Sequence, residues 1–328
     1  MSNTLGERYR VQVFGQSHSP MIGAVIEGIP AGVVPDMDFI SAFMARRAPG
    51  GALSTARKEA DAPQIVSGLN DRGATCGAPL CAVIPNTNTR SGDYKNLITH
   101  PRPSHADWVA QKKWNGYNDP RGGGHFSGRI TLGLVAAGVV AKKILGQSVI
   151  FSTEITEIGG ERDKSKFTEV IEQARMVQDS VGGIVECRVK GAEVGLGEPF
   201  FDSTESLMAH LLFSVPAVKG VEFGDGFEVA RRRGSQNNDC IADAEGTTST
   251  NHAGGIVGGI TNGNEIVVRV AVKPTPSISC EQSTYNFELG RVEPLVIKGR
   301  HDVCITLRAA VVVEAAMAIA LADLKLRA

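Results

Sequence analysis

The chain has 328 residues, of which only 5% are aromatic, and its formal net charge is -1. Proteins that bind duplex nucleic acid usually carry a basic stripe, and those that bind single strands interleave aromatic and basic residues. Neither pattern is present here. We therefore expect no nucleic-acid partner and predict a small-molecule site.

The six cysteines form neither a CxxC pair nor a Cys/His cluster with zinc spacing. This scarcity argues against a structural metal, and we predict no metal site. Residues 1–10 lack the apolar core of a signal peptide, and the long apolar run near the C-terminus is interrupted by Glu314. We expect reduced thiols, a cytoplasmic location and no membrane partner.

The sequence also lacks a proline-rich or serine-rich linker and any low-complexity tract. We therefore predict one domain over residues 1–328. Two weak internal echoes suggest duplication, with chance similarity as the alternative. Turn-rich segments at 28–35 and 191–199 each precede a helix-like segment, and an Ile-Thr-Leu triplet begins an Ala/Val-rich segment at 130 and again at 305.

The two Ala/Val-rich segments are apolar around most of a helical circumference, which favours burial between other layers. Runs such as residues 184–189 and 266–272 alternate in places, as antiparallel strands with one covered face do. The pattern predicts an α+β fold with central helices between two antiparallel sheets.

Several common catalytic and nucleotide-binding motifs are missing: GxSxG, HExxH, GxGxxG after a strand, and GxxxxGK[ST]. Their absence disfavours serine and zinc hydrolases and the ordinary Rossmann and P-loop nucleotide sites.

A glycine-rich stretch at 121–131 contains Gly122, Gly123 and Gly124 between Arg121 and Arg129. Glycines let the backbone approach a ligand, and the following helix would aim its positive end at an anion. A second glycine-rich loop at 251–259 precedes a strand-like run. Two such loops suggest a ligand with two ends; a flexible loop that caps a buried helix is the alternative.

His18 and His105 lie in loop-like settings and supply acid or base candidates, unless each is a satisfied loop histidine. Arg46 and Arg47 suit a substrate that bears carboxylate and phosphate. The alternative for this pair is a solvated helix end, where cations favour the helix dipole.

Seven short motifs follow one another along nearly the whole chain. They are residues 14–18 (FGQSH), 102–107 (RPSHAD), 121–124 (RGGG), 216–224 (PAVKGVEFG), 251–255 (NHAGG), 273–277 (KPTPS) and 299–302 (GRHD). In this order they resemble the motifs of the chorismate synthase family.

The resemblance implies a β-α-β sandwich that assembles as a homotetramer. It implies an anti-1,4-elimination that converts 5-enolpyruvylshikimate 3-phosphate to chorismate and phosphate, requiring reduced FMN without net redox change. No flavin reductase domain is recognisable, so an external flavin reductase is expected, with NADPH only as an indirect reductant.

The resemblance also implies residue roles. His18 would protonate the departing phosphate, and His105 would interact with the reduced flavin. Asp302 would act with a serine, Ser17 or Ser127, in removal of the C6 proton. The expected flavin contacts are His125, Phe126, Ser127, Pro216, Ala217, Gly258, Lys273, Pro274, Thr275, Pro276, Ser277 and Arg300.

The sequence departs from the common family pattern where His125-Phe126-Ser127 stands in place of Arg-Ser-Ser. An arginine usual near position 52 is also missing, so the resemblance carries a nucleotide contact only to Arg46. Because their side chains are positively charged, we predict that Arg47 and Arg129 are further contacts for the substrate or the nucleotide. A flavin-dependent oxidoreductase and a non-catalytic phosphate-binding scaffold are the competing functions.

Overall fold

The computed structural model describes residues 3–47, 61–87, 97–297 and 301–328. The helices in this part of the chain are α1 (Met37–Ala45), α2 (Asp107–Lys113), α3 (Thr131–Leu145), α4 (Phe167–Met176), α5 (Thr204–Ser214), α6 (Gly234–Asn237) and α7 (Thr306–Arg327). The strands are β1 (Thr4–Leu5), β2 (Arg10–Phe14), β3 (Met21–Glu27), β4 (Gln64–Ser67), β5 (Leu80–Pro85), β6 (Ile150–Ile158), β7 (Gly183–Lys190), β8 (Val218–Phe223), β9 (Ile256–Val257), β10 (Ile260–Thr261), β11 (Ile266–Val272), β12 (Gln282–Asn286) and β13 (Arg291–Leu295).

Two antiparallel sheets form the outer layers. The first has strand order β1-β2-β3-β5-β4, and the second has the order β6-β7-β11-β8. Strand β11 shows why one face is covered: Val268 and Val270 are buried, whereas Arg269 lies opposite Glu186 and Glu222 on the neighbouring strands. The alternation predicted from the sequence is confirmed here.

The long helices α3 and α7 pack against each other between the sheets, α3 against the first sheet and α7 against the second. Their close approach requires a glycine, since a Cβ at Gly138 would lie 2.5 Å from the Cα of Ala315. Most residues of both helices are buried. The predicted layer order is confirmed, because helices without a polar face can only be accommodated in the interior.

Both central helices begin at the same end of the molecule. The repeated Ile-Thr-Leu triplets supply their first residues, Thr131 and Thr306. Gly128, just before α3, lies beside Ile305, just before α7, and the two helices are again adjacent at Gly138 and Ala315. They therefore run in the same direction, with both N-termini on one side.

Two buried carboxylates on α7 join distant parts of the chain. Glu314 forms ion pairs with Arg46, at the end of α1, and with Lys142 on α3. Asp323 Oδ1 accepts hydrogen bonds from the backbone N–H groups of Arg8 and Tyr9 at 2.7 and 2.8 Å. Among the helices of the described segments, none has the length and apolar character required to cross a membrane.

Candidate active site

The glycine-rich stretch at 121–130 lies at the N-terminus of α3 as two short 3₁₀ turns, Gly124–Phe126 and Gly128–Ile130. It packs against the loop that carries His18. The backbone N–H of Ser17 donates to the carbonyl oxygen of Gly124 at 2.9 Å. The ring of His125 adds a 3.1 Å hydrogen bond between its Nδ1 and the carbonyl oxygen of Gly15. His125 thus ties the two loops together.

Gly122 lies between the two predicted histidines. Its φ of +64° is in the left-handed region, and a Cβ there would lie 2.6 Å from Ser17 Oγ and 3.3 Å from His18 Nε2. Its carbonyl oxygen accepts a 2.8 Å hydrogen bond from Arg102, three residues before His105. Glycine is needed at this point because both the backbone conformation and the close approach exclude a side chain.

Arg102 is buried and organises what we call the histidine cluster: Ser17, His18, Arg102, His105, Asp107, Gly122 and Ser277. Its Nε donates to Asp107 Oδ2 at 2.7 Å, and its Nη1 donates to Ser277 Oγ at 3.0 Å. A second hydrogen bond joins the 273–277 segment to the 102–107 motif, because Lys273 Nζ donates to the carbonyl oxygen of Ser104 at 2.7 Å. The structure therefore brings the 102–107 and 273–277 motifs together.

The carboxylates of this region are held ionised. Burial acts to raise the pKa of Asp107, but hydrogen bonds from Arg102 and His105 outweigh burial and hold it well below its ordinary range. The hydrogen bond from Arg121 lowers the pKa of Asp119, and the nearby His18 charge acts in the same direction. Neutral pH therefore leaves both carboxylates as acceptors for adjacent cations.

A second group, the arginine cluster, lies where α3 begins. Arg47 Nη2 donates to the carbonyl oxygen of Gly128 at 2.6 Å, Arg129 Nη1 contacts Asp61 Oδ1 at 2.8 Å, and Arg308 Nε contacts Asp302 Oδ1 at 3.1 Å. Burial and the charges of Arg308 and Arg129 together lower the pKa of Arg47 to about 10, against the opposing effect of the Asp61 and Asp302 carboxylates. Within the described residues, three guanidiniums therefore lie close to the carboxylates of Asp61 and Asp302.

The electrostatics of the arginine cluster favour an anionic ligand. The N-termini of α3 and α7 both lie beside it, and each contributes partial positive charge from its macrodipole. The three guanidiniums add full positive charges. Guanidiniums held together beside two helix N-termini are suited to binding several anionic groups.

A cleft opens beside the histidine cluster, and its lining includes His105, Asp107, Asn118 and Phe126. Phe126 is partly exposed and packs at a tilt against Trp114, with 5.8 Å between the ring centroids. One wall of the cleft is therefore aromatic.

The residues around the cleft fit a flavin. Among the buried side-chain atoms of the described chain that lack a hydrogen-bond partner are Asn118 Oδ1, on the cleft wall, and Thr275 Oγ1, in the 273–277 segment. Burial lowers the pKa of Lys273, and the neighbouring Lys219 lowers it further. Paired ammonium groups and unpaired polar atoms beside an aromatic wall are what a polar ring system with a phosphate requires.

The other predicted site residues lie in different places. Ala217 adjoins the 273–277 segment, since its carbonyl oxygen accepts from Lys273 N at 2.9 Å. Ser127 Oγ accepts from the N–H of Arg129 at 3.3 Å and begins a 3₁₀ turn. Gly258 lies in the turn between β9 and β10, which adjoins the opposite end of β11 from Lys273. Within a single chain, Gly258 therefore lies away from the other predicted flavin contacts. The role of Gly258 in flavin binding stays a prediction.

The predicted arginines also differ in their surroundings. Arg46 ends α1 and contacts Glu314 Oε2 at 2.6 Å, outside the arginine cluster. The alternative of a solvated helix end is wrong for Arg47, which is buried. Arg300 and the segment around position 52 lie outside the described residues.

Sequence reasoning missed four residues that shape the two clusters: Arg102, Asp107, Asp61 and Arg308. Arg102 and Asp107 flank His105 in one motif, and their spacing could have indicated a guanidinium–carboxylate pair around the histidine. Arg308 is a cation in the first turn of a largely apolar helix. No comparable local signal marks Asp61.

Comparison with known proteins identifies the family. The sequence profile described as chorismate synthase matches residues 9–326. The chain is 54% identical to the chorismate synthase of Chitinophaga pinensis over 325 residues, covering 99% of this chain and 96% of that protein. It is 44% identical to the chorismate synthase of Dehalococcoides mccartyi over 356 residues, covering 100% and 98%. A crystal structure of chorismate synthase superposes with a TM-score of 0.75 at 27% identity, covering 98% of this chain and 93% of that one.

Proposed function

This chain belongs to the chorismate synthase family, and we propose that it is the lyase that converts 5-enolpyruvylshikimate 3-phosphate to chorismate and phosphate. The main observation behind the proposal is that the segment 121–130 contacts both clusters and so places them next to each other. Gly122 adjoins His18 in the histidine cluster, and Gly128 accepts from Arg47 in the arginine cluster. A substrate with two carboxylates and a phosphate would find cations and proton donors within one site.

We propose that the arginine cluster binds the anionic groups of the substrate. Arg47 and Arg129 are buried and already oriented by Gly128 and Asp61, so little side-chain entropy is lost on binding. The N-termini of the two central helices add fixed dipoles that cost no reorganisation. These features support Arg47 and Arg129 as substrate contacts, and Arg46 is proposed as a peripheral contact.

We propose His18 as the general acid for the departing phosphate and His105 as the histidine that meets the flavin. Both adjoin Gly122, His18 directly and His105 through Arg102. For removal of the C6 proton we propose Asp302 with a serine. Ser127 is the better placed of the two candidates, because it adjoins Gly128, which packs against Ile305 near Asp302.

We propose that FMN binds beside the histidine cluster, held by residues 125–127, 216–217 and 273–277. Lys273 with Lys219, and the unpartnered hydroxyl of Thr275, support a phosphate and polar ring edge there. When bound in reduced form, the flavin supplies reversible electron donation to the substrate. Arg300 and Gly258 are the remaining proposed flavin contacts, although Gly258 of the same chain lies away from the other residues of this set.

We further propose a cytoplasmic homotetramer that receives reduced flavin from an external reductase, with NADPH acting only through that partner. The free state of all six cysteines supports a reducing compartment. Sedimentation would establish the assembly. Efficient NADPH-driven reduction of FMN by the purified chain would contradict the external supply.

The deciding experiment is anaerobic turnover of 5-enolpyruvylshikimate 3-phosphate with chemically reduced FMN, recording chorismate absorbance and released phosphate together. We expect equal amounts of the two products with catalytic flavin. A product at a different oxidation state, with flavin consumed in proportion, would instead establish an oxidoreductase. Binding without turnover that survives both His18→Ala and His105→Ala would establish a phosphate-binding scaffold.

A further inference from the structure

The hydrogen bonds around Arg102 determine which nitrogen of His105 carries a proton. The Nη2 group has two hydrogens, and three acceptor atoms surround it. Asp107 Oδ1 is at 2.7 Å and the carbonyl oxygen of Gly122 at 2.8 Å, whereas His105 Nδ1 is at 3.1 Å. The two shorter contacts use both hydrogens, so Nδ1 has no hydrogen to accept from Nη2.

The second neighbour of His105 Nδ1 is a carboxylate oxygen, Asp107 Oδ1, at 2.6 Å. A nitrogen lone pair and an ionised carboxylate oxygen repel each other at this distance, so a proton must lie between them. Asp107 also accepts from Arg102 Nε and the backbone N–H of Arg102, which favours its ionised form. The shared proton therefore belongs to the imidazole.

We propose that Asp107 is a positioning residue that holds neutral His105 in the Nδ1–H form, with Arg102 fixing the carboxylate in place. Nε2 is then the nitrogen that exchanges a proton at the cleft. In the described part of the chain Nε2 has no hydrogen-bond partner, and His105 lines the cleft. The inference rests on the proposed role of His105 at the flavin and assigns the atom through which that role is performed.

In this arrangement the two ring nitrogens of His105 differ: Nδ1 donates to Asp107, and Nε2 is the nitrogen assigned to proton exchange. Protonation to the imidazolium adds a proton only at Nε2, while the Nδ1–H···Oδ1 hydrogen bond is kept and becomes charge-assisted. The ring therefore changes charge without rotating. A bound anionic ring edge would meet a donor at Nε2 in the cationic form and an acceptor in the neutral form.

The direct test is a long-range ¹H–¹⁵N spectrum of the full chain labelled with ¹⁵N-histidine, recorded where His105 is neutral. The His105 signals are identified by their loss in His105→Gln. We expect Nδ1 to resonate as a protonated nitrogen and Nε2 as an unprotonated one. The opposite pattern in the wild-type protein would overturn the proposal, whether or not the protein makes chorismate.

A variant tests whether Asp107 is the cause. In Asp107→Asn the new amide donates to Nδ1 and favours Nε2–H, so we expect the two nitrogen signals to exchange character. We expect kcat to fall by about 10²-fold with a smaller change in KM, because the acid–base atom is lost while the binding groups remain. An unchanged His105 tautomer in folded Asp107→Asn would refute the assignment.

Two further variants separate positioning from folding. Asp107→Glu restores a carboxylate, and we expect it to recover the Nδ1–H signal and part of kcat. Asp163→Asn is the matched control, since Asp163 also accepts from a backbone N–H at the start of a short helical turn but is exposed. If Asp107→Glu keeps the tautomer of the asparagine variant, the carboxylate is not what holds the ring.

Discussion

The Nη2 atom of Arg47 lies 2.6 Å from the carbonyl oxygen of Gly128, which also accepts the Thr131 hydroxyl at 2.6 Å. One buried guanidinium thus connects the end of α1 to the start of α3. Burial and the nearby charges of Arg308 and Arg129 lower the pKa of this guanidinium. The contact therefore orients the Arg47 guanidinium, whose positive charge destabilises the folded protein when no ligand is bound.

Arg47→Met tests this conflict between binding and stability. Burial and two nearby cations make charged Arg47 costly in the folded state, and Gly128 O and Thr131 Oγ1 keep each other as partners after the change. We expect a gain in stability of about 1 kcal/mol, which raises the melting temperature by about 1–2 °C. We expect kcat/KM to fall roughly 10- to 100-fold from the lost charged hydrogen bond to substrate.

Arg231→Met is the control for Arg47→Met, because Arg231 and its partner Glu228 are both largely exposed. We expect little change in either stability or activity. Thermal melts and steady-state kinetics measure both effects. A large drop in the melting temperature of Arg47→Met would contradict the proposed electrostatic cost.

Gly122→Ala tests the close approach between the glycine-rich loop and His18. The added Cβ would lie 2.6 Å from Ser17 Oγ, so the loop must shift. We expect kcat/KM to fall by about 10²-fold, since small displacements of acid–base groups are costly. Gly73→Ala is matched in conformation, with φ of +72° and no atom within 4 Å.

We expect Gly73→Ala to lose about 1 kcal/mol of stability through backbone strain while keeping full activity. Chemical denaturation and kinetics of both variants make the comparison. Equal losses of activity in the two variants would show that strain, and not the contact with Ser17 and His18, is responsible.

Glu314→Gln tests the buried ion pairs at the centre of the fold. Burial acts to raise the pKa of Glu314, but the hydrogen bonds and charges of Arg46 and Lys142 outweigh burial and lower it. A lowered carboxyl pKa gives stability that is complete above the unfolded pKa and is lost as the pH falls through the folded value. We expect the variant to lose about 3 kcal/mol at pH 7 and the difference to shrink below about pH 4.

Urea unfolding of both proteins from neutral pH to the lowest pH at which they fold measures this difference. Glu154→Gln, whose partner Lys164 is also mostly exposed, is the control and should change stability by less than about 1 kcal/mol. A stability difference for Glu314→Gln that grows towards low pH would have the wrong sign for the stated cause.

Asp323→Ala tests how the N-terminal segment is held. The change leaves the backbone N–H groups of Glu7, Arg8 and Tyr9 without their acceptor. We expect a loss of about 3 kcal/mol and faster hydrogen exchange at these amides. Asp202→Ala is the control, because Asp202 also contacts Arg327 but is exposed; protection that is lost equally in the control would contradict the assignment.

Much of the fold was predictable because its signals are local. The apolar character of α3 and α7 and the alternation in β7 and β11 reflect each segment's immediate surroundings, and both predictions are confirmed. The motifs around His18, His105 and Gly122 were also found by sequence, and the structure brings them together.

Other features needed contacts that no local pattern encodes. Arg46 and Arg47 are neighbours with identical side chains, yet one contacts Glu314 and the other is buried against Gly128. The direction in which each leaves the end of α1 decides its partner, and that direction depends on packing against α3 and α7. Gly258 is a similar case. It lies near the opposite end of β11 from Lys273, and no local pattern in the sequence shows this separation.

The sequence by itself determined the family, the two central helices with several strands, and the presence of histidines near glycine-rich segments, because these properties belong to contiguous residues. Only the tertiary structure decided that three guanidiniums lie together beside two parallel helix N-termini, and that Asp107 faces Nδ1 of His105. Such relationships arise when segments far apart in sequence are packed together, where charge and hydrogen-bond partners are set by distance in space.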